Sequence, residues 1–553
     1  MSLYSEWLEL SEPTFKKIGL SSEGCNSLGL KRSPIYFKED MSSHKVPQFK
    51  DHFFNIIPYK ENLFSDEFSS DENNAVLVRG ESYKKEISSN NIFFQQACLI
   101  DDGRRQALSQ DEKNIDLGID PYSLSLWRGE LCSSKSPFEY IDSNRENLKV
   151  FRLSSLAYDM SGATPVQQLA ILLSSTFQLV KNYEGVLSVD KILSYISYEV
   201  SLNNHCFLNI AKLQSLRILL TRFYEVLESD EGAPSIYGMP SPRYLATREP
   251  WNNMLRISTM GFSAMSGGAQ GFFSLPFDLF SKNEGGRFSR NSLLVLEQES
   301  FLKKVNNASE GSGLVKDLVD QLCVKSWEFF QEIEKKGGIL SVLQSGWLQN
   351  EIDCESKKEK EDFVRRKNVM IGVNEFALTN SLSDEFPLVT EGERLGIADW
   401  WIGYTNDKGV KKRSDVQRLK PHQMSHSFEK WQFLADKYHE SKGKKLKVSV
   451  FCEDSKAQKD KLSLVYKLMG IAGIEVEECD KESLGVQPVS LFIAADPEGA
   501  PVINAVQSFQ KKGCQFSLWV GIREQSHFDD YIGSESNLME SYEKIFKHYG
   551  VQL

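Results

Sequence analysis

Apolar positions along the chain follow two rhythms. Between Ile56 and about Trp347, short apolar runs of strand length alternate with stretches in which apolar residues recur every three or four positions. That alternation predicts repeated strand and helix units around a parallel sheet. Ile210 to Leu220 sets Leu213, Leu216 and Leu220 on one helical face, with Lys212 and Arg217 on other faces, and reads as a core-facing helix. Trp327 to Lys336 reads as a helix that stops at Gly337 and Gly338, with Lys335 and Lys336 near its negative end. The span from 53 to 347 suits eight such units, and the pattern leaves open a closed barrel or an open sheet.

From 441 to 553 the alternation is cleanest. Leu446 to Phe451, Ile474 to Cys479, Val489 to Ala495 and Phe516 to Ile522 are β-rich runs, separated by helical patterns over 459–473 and 499–513 that close on glycines. A small doubly wound α/β domain follows, whose ligand would sit beyond the carboxyl ends of its strands. Residues 348–440 change character: mixed charge runs from Cys354 to Lys367, and turn residues gather at Asn406, Asp407 and Lys408, so this reads as a connecting segment with a solvated helix face. Residues 1–52, with isolated Trp7, Pro34, Tyr36 and Phe37, read as an extended arm able to lie on a partner, or as a loose tail.

Composition narrows the function classes. Hydrophobic residues make up 41% and charged residues 25%, values of a globular chain able to bury a core. A net charge of -11 argues against a phosphate backbone as ligand, because such binding draws on clustered Lys and Arg. Nine scattered cysteines without CxxC spacing argue against a zinc cluster and suit a reducing compartment. The opening residues have neither a basic nor an apolar leader pattern, and no apolar run reaches the length of a membrane span, so the expected address is the cytoplasm. Ser266, Gly267 and Gly268 lack the Gly-Lys-Ser/Thr of a phosphate loop and read as close packing.

Several stretches, in order, resemble the methylmalonyl-CoA mutase family: Pro34 to Asp40, Ile210 to Leu213, Arg248 to Arg256, Gly267 to Gln270 with Leu275 to Asp278, Arg290 to Ser292 with Glu299 and Ser300, Phe330 to Gly338, and Ile371 to Phe376. The resemblance implies an arm over 1–52, a (β/α)8 TIM-type barrel over 53–347 that threads coenzyme A thioesters, and a flavodoxin-like doubly wound cobalamin-type domain over 441–553. In that family adenosylcobalamin supplies a radical, and a Tyr-His-Met sequence sets a histidine against the thioester carbonyl.

Here the matching stretch is Tyr158-Asp159-Met160, so an aspartate stands where the histidine belongs. An ionised carboxylate offers only acceptors to a carbonyl oxygen. The one histidine between 53 and 421, His205, reads as a packing residue, and no substitute stands out. The family's cobalt-ligating Asp-x-His-x-x-Gly would follow the first strand of the last domain, where this chain has Asp454, Ser455 and Lys456; no histidine occurs from Glu440 to Ser526. Serine is a weak donor to cobalt and lysine is protonated near neutrality. Ala494 to Glu498 and a lone Gly521 stand where the family receives the nucleotide tail. The resemblance therefore implies a small, non-catalytic subunit with no catalytic, cofactor or metal residues of its own, paired as a heterodimer with a larger catalytic chain that holds adenosylcobalamin and the acyl-CoA. An active acyl-CoA isomerase and a repurposed binding module are the alternatives.

Overall fold

The computed structural model describes residues 148–280, 285–305, 307–377, 416–419, 421–454, 458–479, 487–493, 500–521, 528–533 and 536–551; before 148 it describes 24–25, 30–32, 54–58, 74–78, 91–94, 104, 107–108, 114–123, 125–129, 131 and 138. Most of the expected arm, the turns at 406–408, Ser455, Lys456 and the stretch 494–498 lie outside the described residues. The chain divides into two compact units: Met1–Tyr244, Asn253–Ser356 and Val389–His422 in one, Leu245–Asn252, Lys357–Leu388 and Gln423–Leu553 in the other.

In the first unit, eight parallel strands pair in chain order: β1 (Phe54–Pro58), β2 (Asn74–Val78), β3 (Asn91–Phe94), β4 (Asn114–Ile119), β5 (Leu148–Ser154), β6 (Ile196–Leu202), β7 (Ser235–Pro240) and β8 (Gly271–Phe273). β8 pairs back onto β1, Gly271 opposite Phe54 and Phe273 opposite Ile56, so the sheet is a closed barrel. The short α1 (Leu156–Ser161) follows β5 and is buried throughout, and two longer helices, α2 (Pro165–Tyr183) and α3 (Cys206–Val226), pack on the barrel's outer face. Thr164 and Gln167 form a capping box ahead of α2, with Pro165 at the first helical position. Edge-on ring pairs Phe177–Phe223 (5.9 Å) and Phe223–Phe330 (6.0 Å) tie α2 and α3 to α4 (Gly313–Lys335). α4 ends where the sequence predicts, with Gly337 at φ +97° just beyond.

The charge run lies on α5 (Trp347–Val364), with Lys357, Lys358, Lys360 and Glu361 exposed and Ile352 buried, as a solvated helix face requires. In the second unit five parallel strands, β9 (Lys447–Cys452), β10 (Glu475–Glu478), β11 (Val489–Ile493), β12 (Phe516–Val520) and β13 (Asp530–Ile532), lie in the spatial order β10-β9-β11-β12-β13. That is the flavodoxin-like order; the three-residue β13 was too short to stand out in the sequence. The intervening helices are α7 (Lys459–Ile471) and α8 (Ala500–Lys511), and α9 (Leu538–His548) closes the unit. α6 (His426–Lys442), from the expected connecting segment, is part of this core: Trp431 packs on Tyr542 and Phe546, and Gln432 donates to the carbonyl of Ile471. No helix among the described residues is long and apolar enough to cross a membrane.

Candidate functional site

Residues two apart on a strand share a face. On β6 the Tyr198 hydroxyl meets Thr176 of α2 at 3.0 Å and Tyr224 of α3 at 3.1 Å, so Ile196, Tyr198, Val200 and Leu202 face the helices. Ser197, Glu199 and Ser201 then face the barrel axis. On β5 the inward residue is Arg152, whose guanidinium lies 5.1 Å from the Phe273 ring of β8, a strand that does not neighbour β5.

Arg152 is almost wholly buried, at 1% exposure, and is the hub of the interior. Its Nη1 donates to Asp116 at 3.1 Å, its Nε stands 3.2 Å from Glu199, and its Nη2 donates to the carbonyl of Phe94. Ser197 donates to Asp116 and Ser154 to Glu199, each at 2.7 Å. Burial pushes the Glu199 carboxyl up, opposed by the Arg152 charge. Across the axis, Phe93 meets Tyr237 at 5.1 Å and Phe273 at 6.1 Å. An ion-paired guanidinium and three rings therefore pack together on the barrel axis.

At the carboxyl end of β5, where barrels of this kind carry their chemistry, α1 holds Tyr158, Asp159 and Met160, all buried. The Tyr158 hydroxyl has no hydrogen-bond partner among the described residues, and burial raises the phenol far above its ordinary pKa, with the Asp120 charge adding to the rise. Asp120 is itself a loop clamp, accepting from the backbone of Tyr122, Ser123 and Ser154. Asp159 uses both oxygens structurally: Oδ2 accepts from Ser241 at 2.5 Å and Oδ1 from Gln168 at 3.0 Å. The far end of Gln168 accepts from Lys212, which also donates to the Ser201 carbonyl at 2.7 Å. Burial pushes the Lys212 amine down to about 8, with the Asp159 charge pulling it back up. Asp159 is thus one node of a buried polar network, both its oxygens accepting from side chains.

Lys212 and Arg217, on other faces of α3 as read, are both buried, Arg217 donating to the carbonyls of Pro234 and Gly268. His205 is not a packing histidine but an exposed residue at the cap of α3, its backbone N–H held by Asn203. A histidine that the sequence did not nominate, His422, reaches the site: its backbone donates to the Met160 carbonyl at 3.0 Å, and its Nε2 accepts from Nε of Arg243 at 3.2 Å. No local signal marks it, since Arg243 and His422 are 179 residues apart. Ser197, Glu199 and Ser201 alternate with apolar residues on β6, a signal that marks a strand but not which of its faces turns inward. Gly267 packs closely, as read: a Cβ there would stand 2.8 Å from Leu213.

In the second unit, Asp454 is exposed in the turn after β9, its carbonyl accepting from Gln458. Phe451 of β9, Phe492 of β11 and Phe509 of α8 form a buried cluster, the Phe528 ring lies tilted 5.6 Å from Phe492, and Trp519 meets Phe528 at 5.4 Å. Gly521 lies against the Trp519 indole, leaving 2.1 Å between a Cβ and Nε1. Among the described residues no group of three or more His, Cys, Asp or Glu side chains is placed to hold a metal. The family pattern sets a histidine imidazole below cobalt, and the segment from Glu440 to Ser526 holds no histidine to supply it.

Residues 131–393 match the family model described as methylmalonyl-CoA mutase. The chain is 28% identical over 298 residues to the methylmalonyl-CoA mutase small subunit of Streptomyces virginiae, a match covering 52% of this chain and 46% of that protein. It is 26% identical over 295 residues to the methylmalonyl-CoA mutase small subunit of Propionibacterium freudenreichii subsp. shermanii, covering 51% and 46%. To the methylmalonyl-CoA mutase of Rhizobium meliloti (strain 1021) it is 26% identical over 299 residues, covering 51% and 42%. The matches span about half the length of these relatives. Over residues 131–393, just under half of its length, the chain is therefore similar to the methylmalonyl-CoA mutase family.

Proposed function

We propose that this chain is the smaller, structural subunit of a heterodimeric, adenosylcobalamin-dependent methylmalonyl-CoA mutase. In this reading a larger partner chain binds the cofactor and interconverts methylmalonyl-CoA and succinyl-CoA, and both chains work in the cytoplasm. The carrying observation is the barrel axis: Arg152, locked between Asp116 and Glu199 and flanked by Phe93, Tyr237 and Phe273, occupies the path of an acyl-CoA. Asp159 supports the same reading, since both its oxygens serve Ser241 and Gln168. Relatives named small subunits support it from outside the structure.

The test uses the purified chain with adenosylcobalamin and methylmalonyl-CoA, alone and then with the candidate large chain. The chain alone is expected to give neither turnover nor a base-off cobalamin spectrum, and to co-elute with the large chain as an active complex. Turnover by the isolated chain would favour an acyl-CoA isomerase in its own right. Absence of co-elution would remove the partner reading.

A further inference from the structure

Residues 416–419 and 421–422 run as a strap across the carboxyl end of the barrel. Val416 donates its backbone N–H to the carbonyl of Gly129, and Leu419 donates to that of Leu126, each at 2.9 Å, which fixes the strap to the short helix after β4 (Ser125–Arg128). At the other end the His422 N–H donates to the Met160 carbonyl of α1 at 3.0 Å. Gln349 holds the middle, donating to the Gln417 carbonyl at 3.2 Å, and the Arg418 side chain fills the space beside Gly129, where a Cβ would stand 2.5 Å from Nε. None of these strap residues lies in a helix or strand, so its hold on the barrel depends on such contacts one by one.

One of those contacts involves a group that titrates. The His422 Nε2 stands 3.2 Å from Nε and 3.0 Å from Nη2 of Arg243, in the turn Pro242–Tyr244 after β7. A guanidinium has only N–H donors and keeps its charge, so Nε2 is the accepting nitrogen of a neutral imidazole. A proton on Nε2 would oppose donor to donor and set two positive charges against each other. Arg243 is 1% exposed, its Nη1 donates to the Tyr244 hydroxyl at 3.1 Å, and its guanidinium lies 5.4 Å from that ring. His422 is only partly buried and sits on the strap, so it is the group that can leave. The described elements bring further ionisable groups to this end of the barrel. Burial keeps the Tyr158 phenol protonated, Asp159 accepts from Ser241 and Gln168, Asp120 accepts from the backbone of Tyr122, Ser123 and Ser154, and Lys212 and Arg418 are basic. Both carboxylates are thus engaged within the barrel.

We infer that His422 is a pH-sensitive latch: neutral, it ties the strap to Arg243, and protonated, it releases the strap from the carboxyl end of the barrel. Release takes up one proton, so the released fraction rises as pH falls through the ordinary histidine range near about 6.5, by up to about tenfold per pH unit. The test is hydrogen exchange of the full-length chain between about pH 8 and pH 5, corrected for the intrinsic pH dependence of exchange. The amides of Val416, Leu419 and His422 are expected to lose protection by up to about tenfold per pH unit in the acid range, while those of β5 to β7 keep theirs. His422→Gln and His422→Asn retain an acceptor that does not titrate, and in both the strap should hold the same protection at every pH. His422→Leu, without an acceptor, should show low strap protection throughout. Unchanged strap protection of the wild type in acid overturns the inference, as does an equal acid loss in the Gln and Asn variants. Acid loss that extends through β5 to β7 overturns it as well, because the unit then opens as a whole rather than at its strap.

Discussion

Lys212 and Glu199 are buried ionisable groups shifted in opposite directions, and their effects on stability fall in different pH windows. The amine of Lys212 titrates near 8 in the folded chain, below the ordinary lysine value of 10.5. The unfolded chain therefore binds more protons between those values, and this group's stabilising contribution, complete above the unfolded value, is lost as pH falls through about 8. Glu199 and Asp120 are raised by burial, so they bind more protons folded than unfolded, and their contribution is lost as pH rises from the ordinary carboxylate value through the raised one. Urea denaturation at a series of pH values is expected to show the alkaline gain in the wild type and its loss in Lys212→Met. An unchanged alkaline slope in that variant would show that Lys212 ionises normally. Asp159 belongs to the same network, and its oxygens are already spent on Ser241 and Gln168.

β5 and β6 set a charged cluster on the barrel axis. Phe151 and Leu153 of β5 and Ile196, Tyr198, Val200 and Leu202 of β6 point outward, while Arg152, Ser154, Ser197 and Glu199 put polar groups on an inward face that in barrels of this kind is more often filled by branched apolar side chains. A buried ion pair is a weak source of net stability, but removing one partner leaves the other charge uncompensated. Arg152→Met is therefore expected to cost about 3–5 kcal/mol, read from the urea midpoint at constant m-value, with part of the loss recovered in Arg152→Met combined with Glu199→Gln. Equal destabilisation by the single and double variants would mean that Arg152 acts through packing on Phe273 rather than through charge. The alternation on β6 was visible in the sequence; that it ran polar-inward was not, because a parallel barrel strand is enclosed on both faces.

Two compact units make up the chain, and each has its own core. Trp431 anchors the second, buried among Tyr542 and Phe546 with its indole N–H donated to Met539. Trp431→Ala is expected to cost about 3–5 kcal/mol. Hydrogen exchange should speed up through β9 to β13, while the amides of β5 to β7 keep wild-type protection. Uniform loss of protection would show that the chain unfolds as one cooperative body. Closure of the first sheet into a barrel was open in the pattern, while the sequence by itself determined the strand and helix rhythm, the α/β class of both regions, the stop of α4 at Gly337, and the lack of histidine at 159 and from 440 to 526. Those are local properties: periodicity, capping and residue identity are written in neighbouring positions. The tertiary structure alone decided that the barrel closes on Arg152 and that Asp159 is bound to Ser241, 82 residues away. It also decided that Lys212 is buried and that His422 comes to Met160. Those contacts join residues far apart in the chain, and local pattern carries no record of which distant side chain a buried polar group meets.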